Sequence, residues 1–160
     1  MRRRTFVAAT LVAALSGCVS MKTFQPTEIT EVVDLPGKSK TEIFRSARQW
    51  FSQYFVSGES VVDYENEETG TIIGNGIADA GNDAFGIISY EIHYNIRIDV
   101  KDGKLRAATK VIKHTNTDTE KTYVVHYLSA EREQAAEQQV KRIVSEMKAY
   151  ILSSKTESDW

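Results

Sequence analysis

The histidines are the residues whose type most directly suggests chemistry, because a neutral imidazole is a common zinc ligand. His93 and His114 lie in neighbouring segments with strand-like alternation, Glu91 lies two residues before His93, and His126 follows farther along the chain. The spacings H-E-x-x-H and C-x-x-C, which bring zinc ligands together on one element, do not occur in the sequence. We therefore interpret the histidines as surface residues and expect neither a metal site nor a cofactor.

Two acidic segments contain oxygen ligands of the kind that calcium binds. One covers residues 63–68, and the other contains Asp79, Asn82 and Asp83. Calcium requires about six to eight oxygens in a shaped loop, and neither segment has the spacing of such a loop. We interpret both as solvated turns. The sequence also has no G-x-S-x-G nucleophile elbow, and we expect a protein that is not an enzyme.

The single cysteine, Cys18, lies directly after a short apolar segment. Three arginines at positions 2–4 precede the apolar residues 6–15, a run of about ten residues that is too short to span a bilayer. A basic start, a short apolar run and small residues are typical of a secretory signal peptide. Leu15-Ser16-Gly17-Cys18 resembles a bacterial lipobox, in which the thiol receives diacylglycerol and the chain is cut before the cysteine. The sequence therefore predicts a signal peptide over residues 1–17 and lipidation of Cys18.

Lipidation of Cys18 also predicts where the protein acts. Val19 stands where an aspartate would resemble an inner-membrane retention signal, so we expect a lipid anchor in the outer membrane of a diderm bacterium, with the domain facing the periplasm. Residues 18–28 are interpreted as the lipidated cysteine and a tether, and residues 154–160 as a mobile tail. Arg3-Arg4-Thr5-Phe6-Val7 resembles a twin-arginine signal, so the twin-arginine and general secretory routes both stay open.

The charge of the chain bears on its partners. Its 20 basic residues, less the three arginines of the signal peptide, leave 17 against 22 acidic residues, a formal charge of −5. A basic patch or stripe is the electrostatic footprint of a nucleic-acid-binding domain, so the composition argues against a nucleic-acid partner. The remaining chain has a length typical of one domain.

Apolar spacing predicts two amphipathic helices. Ser39 and Glu42 have the spacing of a capping box at the start of the first helix. Ser129 is placed to cap the second, which runs to about Leu152. The apolar faces contain Ile43, Phe44, Ala47, Trp50, Phe51, Tyr54 and Phe55 in the first helix, and Ala136, Val140, Ile143, Val144, Met147, Tyr150 and Ile151 in the second.

Alternation of apolar and polar residues predicts five strands. A strong two-residue hairpin signal, Asp102-Gly103, joins the last two of them. We interpret residues 114–121 as a loop and residues 122–128 as a short strand or an extended connector. The predicted strands cover residues 29–35, 61–65, 71–79, 86–100 and 104–113.

The Asp102-Gly103 turn predicts the register of the last hairpin. If Lys101 pairs with Lys104, Tyr94 opposes Val111 on an apolar face, and a one-residue slip would mix the two faces. In the same register Glu91 opposes His114 on the polar face. That face is expected to carry Glu91, His93, Asn95, Arg97 and Asp99 beside Arg106, Ala108, Lys110, Ile112 and His114.

The predicted order β-α-β-β-β-β-α favours a two-layer α+β domain over residues 29–153, with an antiparallel sheet of about five strands and two helices packed on one face. The segments EVVDLPGKSKTEIFRSARQWF, VVDYENEETGTIIGNG and YNIRIDVKDGKLR resemble a family of bacterial envelope proteins of unknown function with a TATA-box-binding-protein-like (TBP-like) fold. The resemblance implies the fold and the class, and it brings no catalytic signature.

These observations lead to one expected function and one alternative. We expect a non-catalytic, lipid-anchored accessory protein that binds another envelope component, a protein, through the open face of the sheet or through the loop at residues 79–86. The candidate contacts on the open face are Glu91, His93, Asn95, Arg97 and Lys110. A small-ligand or metal-binding periplasmic domain remains the alternative.

Overall fold

The structure, a computed structural model, describes residues 21–54 and 61–154. The predicted signal peptide, Cys18, Phe55 and the predicted tail beyond Ser154 lie outside these residues. The elements in chain order are β1 (Met21–Thr23), β2 (Thr27–Asp34), α1 (Lys40–Tyr54), β3 (Val61–Asn66), β4 (Thr71–Asn82), β5 (Ile88–Lys101), β6 (Lys104–Asp118), β7 (Lys121–Val124), β8 (Tyr127–Ser129) and α2 (Ala130–Ser153).

The main sheet has six antiparallel strands. Five of them lie in the order β2-β6-β5-β4-β3, and β7 pairs with the far end of β6. β1 and β8 form a separate two-stranded antiparallel ribbon. The antiparallel α+β architecture with two helices is confirmed. The main sheet has six strands where about five were predicted, and the ribbon adds two more within residues 21–54 and 61–154.

The first helix begins at the predicted capping box. The Ser39 backbone N–H donates to Glu42 Oε2 at 2.8 Å, and the Glu42 backbone N–H donates to Ser39 Oγ at 3.3 Å. Both groups therefore satisfy amides that the first helical turn leaves without an intrahelical acceptor. One face of α1 is buried in the core, namely Ile43, Phe44, Ala47, Trp50 and Phe51.

Ser129 caps the second helix, as predicted, because its hydroxyl accepts from the Arg132 backbone N–H at 3.3 Å. Both helices pack against the same face of the sheet, where the inward residues of β5, from Ile92 to Val100, are almost completely buried. Neither α1 nor α2 covers the opposite face. The buried residues of α2 are Ala136, Val140, Ile143, Val144, Met147 and Ile151.

The Asp102-Gly103 hairpin has the predicted register along most of its length. Lys101 pairs with Lys104, and Tyr94 pairs with Val111. Gly103 has a φ of +68°, a conformation that glycine adopts without a steric penalty. Tyr94 is fully buried on the helix-covered face, so the predicted inward and outward faces of this hairpin are confirmed up to Tyr94.

Beyond Tyr94 a β-bulge changes the register, and the prediction for His114 is wrong. His93 pairs with Lys113 while Tyr94 pairs with Val111, so Ile112 is an extra residue on β6. The extra residue shifts every later position by one, which moves its side chain to the other face. His114 consequently opposes Ile92, not Glu91, and is 7% exposed on the helix-covered side.

The same strand is also longer than predicted. β6 continues to Asp118 and forms a second hairpin with β7, in which Asp118 pairs with Lys121. The prediction of a loop over residues 114–121 is therefore wrong. Threonine is β-branched and favours extended backbone, so a threonine-rich polar segment can form a hairpin when a neighbouring strand is available.

The segment after the predicted lipidation site is not a free tether. Met21 to Thr23 pair with Tyr127 to Ser129, and the Phe24 backbone N–H donates to the His126 carbonyl at 2.8 Å. The main sheet begins at Thr27. The polar character of the segment does not prevent pairing, because ladder hydrogen bonds involve the backbone. Cys18 is three residues before Met21, where β1 begins, so at most about 11 Å of chain separates the two Cα atoms.

Candidate functional site

The open face of the sheet brings the predicted contact residues together. Glu91, His93, Asn95 and Arg97 alternate along β5 and point away from the helices, because their inward neighbours fill the core. Lys110 lies beside them, since it pairs with Asn95. All five predicted residues therefore share one surface. His114 is missing from the surface that the sequence predicts, because the bulge moves it to the other face.

Asp99 is the centre of one group of polar contacts on this face. Arg97 Nη2 donates to Asp99 Oδ1 at 3.0 Å, and Arg106 Nη2 donates to Asp99 Oδ2 at 2.5 Å. The Thr71 hydroxyl also donates to Asp99 Oδ1 at 3.2 Å. Partial burial raises the pKa of Asp99, but the hydrogen bonds from Arg97 and Arg106 outweigh it and lower the pKa to about 2. Asp99 is therefore charged at neutral pH and orients both guanidinium groups.

A second polar group lies farther along the same face. His93 Nε2 and the Thr115 hydroxyl are 3.2 Å apart, and the Thr115 hydroxyl lies 3.4 Å from Glu91 Oε2. Thr115 is almost completely buried between these side chains. The bulge on β6 positions this threonine, because the shifted register places Thr115 opposite Glu91.

An aromatic residue that the sequence did not single out completes the face. Tyr64 pairs with Ile73, and Ile73 pairs with Arg97, so these three side chains form one row across β3, β4 and β5. Tyr64 is 47% exposed. A bulge between Val62 and Tyr64 sets the orientation of β3. Because the four-residue turn between β3 and β4 does not fix a register from sequence, only the pairing itself identifies Tyr64 as a surface residue of this face.

The first half of the loop predicted at residues 79–86 belongs to β4, which ends at Asn82, and the second half lies in the turn before β5. The backbone N–H of Ile87 donates to Asp83 Oδ1 at 2.7 Å, and that of Ile88 donates to the same oxygen at 3.1 Å. The hydrogen bond from Ile88 lowers the pKa of Asp83, slight burial raises it, and the bond from Ile87 lowers it further. This ordered turn presents Phe85, which is 85% exposed.

The structure does not bring the histidines together. His93 and His114 project from opposite faces of the sheet, and the His126 carbonyl accepts a hydrogen bond from Phe24. Across residues 21–54 and 61–154, no group of three histidine, cysteine or acidic side chains is arranged to hold a metal ion. In the same two ranges, no helix combines the length and the apolarity that crossing a membrane requires.

Comparisons with known proteins agree with this architecture. A TBP-like protein from Parabacteroides distasonis is similar with a TM-score of 0.62 and 15% identity, over 81% of this chain and 95% of that chain. A DUF4468 family protein from Bacteroides ovatus is similar with a TM-score of 0.55 and 16% identity, over 81% of this chain and 88% of that one. No curated protein matches the sequence significantly. The family model described as a domain of unknown function (DUF4468) with TBP-like fold matches residues 30–115, more than half of the sequence, and the chain belongs to this family.

Proposed function

We propose that the protein is a non-catalytic, lipid-anchored accessory protein of the bacterial envelope that binds another envelope protein through the open face of its sheet. The observation that carries the proposal is the row formed by Tyr64, Ile73 and Arg97 on a face that neither helix covers. Tyrosine and arginine are the residue types that most often dominate protein–protein binding energy.

The charges of the open face favour a protein partner over a nucleic acid. Arg97 and Arg106 are neutralised in part by Asp99, and Lys110 lies on the same face as Glu91. A mixed surface of this kind suits a partner that carries both signs of charge, because complementary charges fix orientation and exclude wrong partners. A surface for the nucleic-acid backbone would instead concentrate positive charge.

The anchor is part of the same proposal. The lipobox at Leu15-Ser16-Gly17-Cys18 supports lipidation, and Val19 supports location in the outer membrane with the domain in the periplasm. Because pairing of β1 begins at Met21, the domain would be held about 11 Å or less from the lipidated residue along the chain. Such a short link favours a partner that is itself in or close to the membrane.

The turn at residues 83–87, with its exposed Phe85 side chain, supplies a second contact surface for that partner. The Phe85 side chain is one of the most exposed apolar groups within the described ranges, and the Asp83 hydrogen bonds hold the backbone of the turn in place. A rigid exposed aromatic residue loses little conformational entropy when it is buried in an interface.

Site-specific photo-cross-linking in intact cells tests the proposal. A photoreactive phenylalanine analogue replaces Tyr64, and a matched probe replaces Tyr127, which is 59% exposed but belongs to the separate β1–β8 ribbon. We expect a discrete adduct with one envelope protein from position 64 and none from position 127. The adduct should disappear when Arg97→Ala and Lys110→Ala are added. Adducts of equal yield from both positions, or with many unrelated proteins, would contradict the proposal.

A further inference from the structure

A cavity of about 350 Å³ lies between α2, β8, the start of β2 with the segment before it, and the part of β6 from Val111 to His114. Its volume falls within the range of small-molecule binding sites, which begins at about 300 Å³. Much of its wall is apolar. The apolar contributions come from Phe24, Ile29, Val111, Leu128 and Ala136.

His114 gives this cavity a polar group that the fold leaves unused. Its side chain is 7% exposed, lines the cavity, and makes no hydrogen bond to another side chain or backbone group within residues 21–54 and 61–154. The Phe24 ring packs edge-on against it, with ring centroids 4.8 Å apart. Burial lowers the pKa of His114, Glu133 raises it, and His93 lowers it. The imidazole is therefore neutral at neutral pH and retains one nitrogen that can accept a hydrogen bond.

Two carboxylates of α2 also line the cavity. Glu137 accepts a hydrogen bond from Lys141 Nζ at 2.7 Å. Within the described part of the chain, no basic side chain pairs with the Glu133 carboxylate. The negative charge of Glu133 nevertheless raises the pKa of His114, which lines the same cavity. An acceptor nitrogen, an uncompensated carboxylate and an apolar wall thus surround the same space.

We infer that this cavity binds a small molecule that joins an apolar body to a primary ammonium group. An ammonium has three donors and no acceptor, so it can donate to the Glu133 carboxylate and to His114 while its apolar body contacts Phe24 and Val111. A carboxylate ligand of the same shape would face Glu133 and would be repelled. The site lies on the helix side of the sheet and is separate from the proposed protein-binding face, so the two proposals stand or fall independently.

The test uses the full chain with Cys18→Ser, 2-phenylethylamine as the cationic probe, 2-phenylethanol as the neutral probe and 3-phenylpropanoate as the anionic probe. NMR titration follows the signals of His114, Leu128 and Ala136. We expect the amine to bind about tenfold more tightly than the alcohol, the difference that one charge-assisted hydrogen bond gives. The carboxylate should bind more weakly than both.

Variants then identify the groups responsible. Glu133→Gln should remove the preference for the amine and leave binding of the alcohol unchanged, whereas Glu146→Gln, the same substitution at an exposed position of α2, should change neither. Ala136→Leu should weaken the binding of both the amine and the alcohol, because the larger side chain fills the cavity. If the Ala136→Leu protein does not fold, the Glu133→Gln result alone tests the inference. Equal affinities for the three probes, signal shifts outside the cavity, or a Glu133→Gln protein that keeps the preference would overturn the inference.

Discussion

Arg97 and Asp99 lie two residues apart on β5, and their side chains meet on the open face with Arg97 Nη2 3.0 Å from Asp99 Oδ1. Arg106 binds the second oxygen of the same carboxylate. Asp99 therefore holds two arginine side chains in position, although each is about half exposed. A partner that binds Arg97 meets a guanidinium whose rotamer freedom is already reduced, which lowers the entropic cost of association.

Replacement of Asp99 should change the free energy of unfolding by an amount that depends on pH. Its pKa is lowered from 3.8 to about 2, so the charged form contributes stability above about pH 4, and the contribution is lost as the pH falls through about 2. We expect Asp99→Asn to lower the free energy of unfolding by about 1–2 kcal/mol at pH 7. Urea denaturation between pH 7 and pH 2.5 should show this difference shrinking toward zero.

Asp34→Asn is the matched control, because Asp34 is 77% exposed and lies 3.7 Å from Lys104. An exposed pair of this kind contributes little to stability. An Asp99→Asn effect no larger than that of Asp34→Asn at every pH would show that Asp99 does not hold the arginines as described.

The two faces of β5 should respond in opposite ways to truncation. Tyr94 is fully buried, so Tyr94→Ala should lower the free energy of unfolding by about 3–5 kcal/mol. Arg97→Ala with Lys110→Ala should lower it by less than about 1 kcal/mol, because both side chains are exposed and Arg106 still pairs with Asp99. Chemical denaturation measures both. A tolerated Tyr94→Ala would contradict the assignment of the core face.

Two glycines with similar backbone conformations should differ in their tolerance of alanine. Gly70 has a φ of +72° and Gly37 a φ of +79°, so either alanine carries the strain of about 1–2 kcal/mol that left-handed backbone imposes. A Cβ on Gly70 would also lie 2.8 Å from the Val100 carbonyl oxygen, whereas a Cβ on Gly37 would meet nothing within 4 Å.

Gly70→Ala should therefore reduce thermal stability clearly more than Gly37→Ala does. Differential scanning calorimetry of the two variants makes the comparison. Equal melting temperatures would mean that the backbone at Gly70 does not approach Val100 of β5 as closely as the structure has it.

Lipidation is tested at Cys18. The resemblance of Leu15-Ser16-Gly17-Cys18 to a lipobox predicts that Cys18→Ser abolishes incorporation of radiolabelled palmitate and leaves a precursor that is not cut after Gly17. Gel mobility and mass spectrometry of the membrane fraction measure both effects. A Cys18→Ser protein that is still processed and lipidated would refute the lipoprotein hypothesis and would leave the fold unaffected.

Local signals in the sequence suffice for the helices and for the central hairpin. The capping box at Ser39 and Glu42 forms as predicted, and Asp102-Gly103 sets the register as far as Tyr94. Each of these features depends on residues close together in the chain. The apolar face of each helix packs against the apolar face of the sheet, so the predicted core faces agree with the structure.

The predictions that depended on distant pairing were less successful. The residues around Ile112 carry no sequence signal that predicts a bulge. That one extra residue nevertheless moves the His114 side chain from the open face to the cavity. In the sequence, Met21 to Thr23 read as part of a polar tether. In the structure they form a strand by pairing with a segment more than 100 residues away, which local sequence patterns do not reveal. Tyr64 was overlooked for the same reason, since its face is set by the pairing of β3 with β4.

The central claim is that the open face binds an envelope protein, and the affinity of the purified partner for two double variants tests it most directly. Arg97→Ala with Lys110→Ala changes the open face, and Arg142→Ala with Lys148→Ala makes the same substitutions on the exposed side of α2. Calorimetry with the protein identified by cross-linking should show the first variant binding at least about tenfold more weakly, as expected for loss of a hot-spot arginine, and the second binding like the unmodified protein. Equal affinity of both variants and the unmodified protein would contradict the claim.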